Sequence, residues 1–152
     1  MRTFVALTAL AIALAGTAAW ACSCGRVRID SPKAAYEAGD FIFEATVESM
    51  TQPGAAPAGK KKGKAADASE REVKLKVGKV WKGKVGKAEV VATAFTGEDC
   101  GYAFREGTAY LVFAHTRAGK GPKMSVSKCG HTAELEYSSV MKDLLAKGPK
   151  GK

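Results

Sequence analysis

Four cysteines restrict this chain more than any other feature of its sequence: Cys22, Cys24, Cys100 and Cys129. An even number of cysteines predicts two disulfides where a chain is exported, because secreted proteins fold under oxidising conditions. A bond between Cys22 and Cys24 would strain a very short loop, so we expect each to pair with a distant cysteine. Two arrangements then remain open, Cys22–Cys100 with Cys24–Cys129 or the crossed version. Either one closes long loops and ties the start of the domain to its second half.

A metal site is the alternative explanation for these cysteines. Cys22-Ser23-Cys24 and Cys129-Gly130-His131 both place soft ligands close together in the sequence. Structural zinc sites usually have two residues between paired cysteines, however, and an oxidising compartment favours disulfides. We therefore predict disulfides and no cofactor.

The N-terminus has the parts of a secretory signal peptide. Arg2 precedes an apolar run over residues 4–15, which is followed by the small-residue motif Ala19-Trp20-Ala21. This run is shorter than the roughly 20 apolar residues of a membrane helix, so we predict no transmembrane segment. Removal of residues 1–21 would leave Cys22 as the first residue of a secreted or periplasmic protein.

Acylation of Cys22, as in a lipoprotein, is a less well supported outcome of the same N-terminus. Lipid-attachment signals usually have leucine or a similar residue three places before the cysteine, and here that place holds Ala19. Simple cleavage is the better prediction.

The chain is basic, with a formal net charge of +9. Much of the excess lies in two stretches rich in glycine, proline, alanine and lysine, around residues 60–64 and 147–152. Such composition predicts mobile, solvated segments, including a disordered tail over 148–152. Nucleic-acid binding is not expected, because no basic stripe is interleaved with aromatic residues. An acidic surface or a membrane headgroup layer is a looser possibility.

Alternating apolar residues predict a mainly β domain. A short helix begins after Ser31-Pro32 and can end at Gly39, and the first strand follows over 41–48. Residues 50–69 form a long loop, and a second strand from Val73 changes phase at Gly78, which indicates a β-bulge. Further strands are predicted over 88–95, 108–114 and 123–129, of which the middle one is apolar enough to be buried on both faces.

Residues 133–147 predict a closing amphipathic helix. Its apolar stripe has helical spacing and is expected to pack on the barrel: Tyr137, Val140, Met141, Leu144 and Leu145. Five short strands with one helix at each end predict a five-stranded Greek-key barrel of the OB type. We expect one domain, residues 22–147, and a monomer.

No catalytic machinery is evident, so we predict that the protein is not an enzyme. The two histidines, His115 and His131, lie outside any known hydrolase motif and are interpreted as ordinary polar or strand-end residues. Glu98-Asp99 are interpreted as a solvated acidic turn rather than a general acid/base pair.

Several segments in a fixed order resemble the N-terminal, netrin-like domain of the tissue inhibitors of metalloproteinases. They are the C-x-C at 22–24, residues 32–36, the strand 40–47 with its long following loop, residues 77–83, Cys100-Gly101, residues 107–111 and residues 124–129. Together they cover roughly residues 22–145. The chain departs from the family in lacking a third disulfide and the C-terminal domain of the animal inhibitors, and in having Arg26 where a proline is common. These departures bear on target range and affinity more than on fold.

This resemblance implies a function and a set of site residues. The backbone nitrogen and oxygen of Cys22 would chelate the catalytic zinc of a target metalloendopeptidase, and Ser23 would enter the adjacent substrate pocket. The protease-binding ridge would comprise two segments: Cys22, Ser23, Cys24, Gly25 and Arg26, and Thr96, Gly97, Glu98 and Asp99. The family's disulfides would correspond to Cys22–Cys100 and Cys24–Cys129.

The alternative is a netrin-like extracytoplasmic module that binds another protein without inhibiting a protease. Acylation of Cys22 would favour this alternative, because an acylated amine cannot bind zinc. In both cases the expected partner is a protein.

Overall fold

The computed structural model describes residues 24–25, 28–51, 70–95, 100–119 and 121–149. The predicted signal peptide, residues 1–21, lies outside this range, as do residues 52–69 of the predicted loop and tail residues 150–152. The strands are β1 Phe41–Met50, β2 Glu70–Lys82, β3 Ala88–Ala94, β4 Ala109–Thr116, β5 Met124–Ser125 and β6 Ala133–Glu134. The helices are α1 Pro32–Glu37, a 3₁₀ turn Leu135–Tyr137 and α2 Ser139–Ala146.

Five of these strands close into a barrel. The order is β1-β2-β3-β5-β4, and β4 pairs back onto β1. The β3–β5 contact is parallel and the other pairings are antiparallel. The structure thus confirms the predicted mainly β, OB-like barrel with short helices.

Alternation along the strands divides the apolar residues between two layers. The barrel interior is filled by side chains such as Phe43, Leu75 and Val112. A second layer lies between the outer wall and the two helices, formed by Ala35, Ile42, Leu111, Phe113 and Leu145. Because β4 contributes to both layers, residues 110–114 are all buried, as their continuous apolar character predicts.

The predicted bulge lies at the expected place in β2. Ala45 pairs with Val77 but Phe43 pairs with Val80, so β2 has one extra residue at Gly78-Lys79. A bulge increases the local bend of a strand, and barrels need such bends to close. A second shift, between the pairs Phe43–Val80 and Ile42–Lys82, follows directly.

Helix α1 begins as predicted but ends differently. The Ser31 hydroxyl accepts a hydrogen bond from the Ala34 backbone N–H at 3.2 Å, and Pro32 occupies the first turn. The helix ends at Ala38 in ordinary helical geometry, so Gly39 is not its left-handed terminator. A Cβ on Gly39 would instead lie 3.2 to 3.5 Å from the backbone of β1 and β4, which explains the glycine by close packing.

Two predictions near the C-terminus are wrong in extent. The fifth strand was expected over 123–129, but ladder pairing is confined to Met124–Ser125, with one isolated bridge between Gly101 and Ser127. The closing helix starts at Ser139 rather than Ala133, because Ala133–Glu134 pairs with Leu111 and Tyr110 at the edge of β4. Consequently Tyr137 and Val140 are 77% and 73% exposed and do not belong to the core.

The turn after β2 offers a sharp test of this packing. Gly83 has a φ of +86°, and an added Cβ would lie 2.6 Å from the Phe41 ring. Gly107 has a similar φ of +77°, but no atom lies within 4 Å of the position that an added Cβ would take there. We expect Gly83→Ala to lower the free energy of unfolding by about 3 kcal/mol, and Gly107→Ala by about 1 kcal/mol from backbone strain alone. Urea denaturation measures both, and equal losses would contradict the expected contact with Phe41.

Candidate functional site

The segment that carries the C-x-C motif is attached to the barrel by a disulfide. Cys24 is bonded to Cys129, with a Cα–Cα distance of 5.1 Å and a sequence separation of 105. This is one of the two bonds that the family resemblance implies. It also argues against the metal alternative at these two positions, because no described cysteine is a free thiol.

The second predicted segment, residues 96–99, is followed directly by Cys100, whose side chain and backbone are both held by other parts of the protein. Cys100 is disulfide-bonded, has a φ of 62°, and its carbonyl accepts a hydrogen bond from the Lys128 N–H at 2.8 Å. Gly101 then bridges to Ser127, and the Tyr102 N–H donates to the Thr93 hydroxyl at 2.7 Å. The backbone on the C-terminal side of the predicted 96–99 segment is therefore fixed to β3 and to residues 127–128.

Aromatic packing also holds residues 102–104 against Tyr110 of β4. The rings of Tyr102, Phe104 and Tyr110 contact one another with centroids 4.7 to 5.8 Å apart. Burial, with the neighbouring Tyr110 as a smaller cause, raises the pKa of Tyr102 to about 12. Its phenol is therefore neutral at physiological pH and acts as a packing group.

Residues 127–129 hold Cys24, from the first predicted segment, and the residues that directly follow the second segment at one corner of the barrel. Cys129 forms the disulfide with Cys24. The Lys128 N–H donates to the Cys100 carbonyl, and Ser127 forms a β-bridge with Gly101. Of the predicted site residues, the structure describes Cys24 and the exposed Gly25. The others lie outside the described residues: Cys22, Ser23, Arg26, Thr96, Gly97, Glu98 and Asp99.

Next to this corner is a cleft of about 510 Å³ that the sequence did not predict. Gly25 and Ile29 form one side, the second half of α1 forms another, and the floor includes Ser127 and the Cys129 half of the disulfide. Both histidines of the chain, His115 and His131, line it. The only sequence signal for this arrangement was the position of His131 two residues after a cysteine.

The polar groups of the cleft are held by local contacts. His115 Nδ1 lies 3.9 Å from the Asp40 carboxylate, and that carboxylate accepts a 2.7 Å hydrogen bond from the Thr116 N–H. Mainly because of the Thr116 hydrogen bond, the pKa of Asp40 lies below its usual range. His131 packs edge-on against Phe113 with ring centroids 6.0 Å apart. Within the described ranges, no cluster of three or more His, Cys, Asp or Glu side chains is placed to hold a metal ion.

In the part of the chain that the structure describes, no helix is long and apolar enough to cross a bilayer. No protein-family model matches the chain, and no curated protein sequence matches it.

Proposed function

We propose that this protein is exported and inhibits a zinc metalloendopeptidase, with the mature N-terminal Cys22 as the zinc-binding residue. The observation that carries the proposal is the Cys24–Cys129 disulfide, which fixes the C-x-C segment to a closed barrel. The protein acts by binding and performs no catalysis of its own.

The chemistry follows from how such proteases use zinc. A catalytic zinc keeps one coordination position open for the water that it activates. In the proposed complex, the α-amino nitrogen and carbonyl oxygen of Cys22 displace that water. Because Cys24 is bonded only two residues away, little conformational freedom is left for the terminus to lose on binding, and this favours affinity.

The second segment of the proposed ridge is supported at both of its ends. At one end, the Arg71 guanidinium lies 4.8 Å from the centre of the exposed Phe95 ring. At the other end, Cys100 is held by its disulfide and by Lys128. In the proposal, residues 96–99 lie beside Ser23 and complete the surface that enters the protease cleft.

The test is to titrate a panel of zinc endopeptidases with the secreted protein at several pH values. An α-amino group has a pKa of about 7.7 to 8, and only its neutral form can bind zinc. We therefore expect inhibition of at least one protease, with affinity falling about tenfold per pH unit below pH 7 after correction for the protease's own profile. N-terminal sequencing and intact mass of the same sample establish that Cys22 is first and unmodified.

A negative outcome would also be informative. If the protein begins at a free Cys22 and inhibits no member of the panel, the inhibitor proposal is wrong. The netrin-like binding module would then be the better interpretation. Detection of an acyl group on Cys22 would point the same way.

A further inference from the structure

A strongly basic hairpin lies in the middle of the chain. Residues 74–90, which we call the basic hairpin, comprise the second part of β2, its turn and the start of β3. They contain six lysines and a single glutamate: Lys74, Lys76, Lys79, Lys82, Lys84, Lys87 and Glu89. This segment accounts for much of the chain's positive charge.

The side chains of this hairpin alternate between the core and the surface. Val73 and Leu75 are buried in the barrel. Lys74 and Lys76, the alternate residues of the strand, are therefore exposed on its outer face. In the turn, Val85 packs against the core, while Lys84 and Lys87 are exposed. The fold therefore leaves Lys74, Lys76, Lys79, Lys84 and Lys87 exposed at the surface of this hairpin.

Two of the six lysines have oxygen partners within the protein. Lys82 donates to the carbonyls of Tyr36 and Gly39 at 2.6 and 2.7 Å, and so stabilises the end of α1. Lys74 lies 3.7 Å from the Glu48 carboxylate in an exposed pair. These two lysines contribute less to an external site than the others.

The remaining lysines are not neutralised. Across the described residues, no carboxylate lies within 4 Å of the ammonium groups of Lys76, Lys79, Lys84 or Lys87. Two carboxylates of this region accept other hydrogen bonds: Glu89 accepts from the Gly86 N–H at 2.6 Å, and Glu44 from the Trp81 indole at 3.1 Å. The basic hairpin thus presents unpaired positive charge to solvent.

Exposed apolar side chains accompany these lysines. Val80 and Val90, which are 39% and 37% exposed, lie in the same hairpin. The single aromatic ring of the hairpin, Trp81, is covered by the Lys79 ammonium 3.6 Å from its centre and packs partly against the helix layer. A stacking platform for nucleic-acid bases is therefore absent from the described hairpin, whereas lysines with intervening apolar groups suit a lipid headgroup layer.

We propose that the basic hairpin is a membrane-docking surface that binds anionic phospholipid headgroups. Charge complementarity supplies the attraction, and the two valines contact the apolar boundary beneath the headgroups. This function does not depend on protease inhibition and uses a part of the barrel other than the corner formed by residues 127–129. Each lysine near an anionic bilayer strengthens binding about fivefold, and the effect is confined to roughly a Debye length.

The experiment compares two triple variants of the mature protein with the same change in net charge. One is Lys76→Gln with Lys84→Gln and Lys87→Gln, and the control is Lys123→Gln with Lys142→Gln and Lys147→Gln. Sedimentation with phosphatidylcholine vesicles containing about 30% phosphatidylglycerol measures the partition coefficient. We expect the hairpin variant to bind about 100-fold more weakly than the native protein and the control variant to stay within about threefold. Thermal unfolding checks that both variants are folded.

Several results would overturn the proposal. One is equal loss in the two variants, because net charge rather than the hairpin would then explain binding. Another is equal binding to vesicles of pure phosphatidylcholine, or binding that persists in about 0.5 M salt, since both exclude an electrostatic origin. Retention on an acidic polysaccharide column without vesicle binding would assign the surface to a different polyanion.

Discussion

Adding one alanine before Cys22 is expected to abolish inhibition while the barrel remains intact. The extra residue converts the α-amine into an amide, which has no lone pair for zinc, and places additional atoms where the metal would lie. Truncation of a dominant binding contact costs about 4 kcal/mol or more, which corresponds to about a 1000-fold increase in the inhibition constant. The inhibition constant is measured by titrating the protease with the native protein and, separately, with the extended protein.

Two controls separate this effect from a loss of structure. An alanine added after Lys152 changes the chain length equally, and we expect it to leave inhibition unchanged. The extended protein should unfold at the same urea concentration as the native one, because the core residues and the Cys24–Cys129 bond are untouched. Equal inhibition by the native and the N-terminally extended protein would rule out chelation by Cys22.

Replacing Cys24 and Cys129 together by serine is expected to produce the largest loss of stability. The bond joins residues 105 positions apart, and a loop of about that length restricts the unfolded chain by about 4.7 kcal/mol in the loop-entropy model. Since removal of native disulfides from small secreted domains costs about 2–5 kcal/mol, we expect a decrease of about 4 kcal/mol in the free energy of unfolding. Urea denaturation gives this value from the midpoint and slope.

The same double variant carries a functional prediction. Its barrel pairing is formed by other residues, so at low temperature we expect a folded protein that inhibits at least about tenfold more weakly, because the terminus is no longer held. Either single serine substitution would leave the other cysteine as a free thiol, so the single variants are poorer tests than the double variant. A stability loss below about 1 kcal/mol would mean that the barrel alone orders this corner.

The barrel was predictable because its strands follow simple rules. Strict alternation around Phe43 and Val47 marks one face of β1, and continuous apolar character in β4 marks a strand covered on both sides. The change of phase at Gly78 likewise indicated the bulge. In each case a local pattern and the tertiary structure favour the same conformation.

The C-terminal region was less predictable because tertiary contacts decide its conformation. The spacing of Tyr137, Val140 and Leu144 has helical periodicity, yet the edge of β4 needs hydrogen-bond partners next to Tyr110 and Leu111. Thr132 supplies one, since its hydroxyl accepts from the Phe113 N–H at 2.9 Å, and β6 continues the pairing. Pairing the backbone groups of β4 with Ala133 and Glu134 outweighs the weak helical preference of these two residues, so the helix begins only at Ser139.

The candidate site could be predicted only as two separate segments. The resemblance implies that residues 22–26 and 96–99 act together, but nothing local in either segment shows that Ser127–Cys129 anchors their described neighbours. The cleft with His115 and His131 was missed for the same reason, because its walls come from α1, β4 and the residues after β5. Long-range disulfides and single bridges leave no periodic signal in a sequence.

The pairing of β1 with β4 also has a consequence for how the chain is made. Residues 41–46 find half of their hydrogen-bond partners only in residues 109–114, and β5 must follow before the cylinder is complete. A ribosome or an export channel that releases the chain from its N-terminus therefore delivers a buried strand long before its neighbour exists. Because non-local pairing slows folding, barrel closure must wait until nearly the whole domain has emerged. In the proposed export of this protein, such a delay would keep the polypeptide unfolded during translocation.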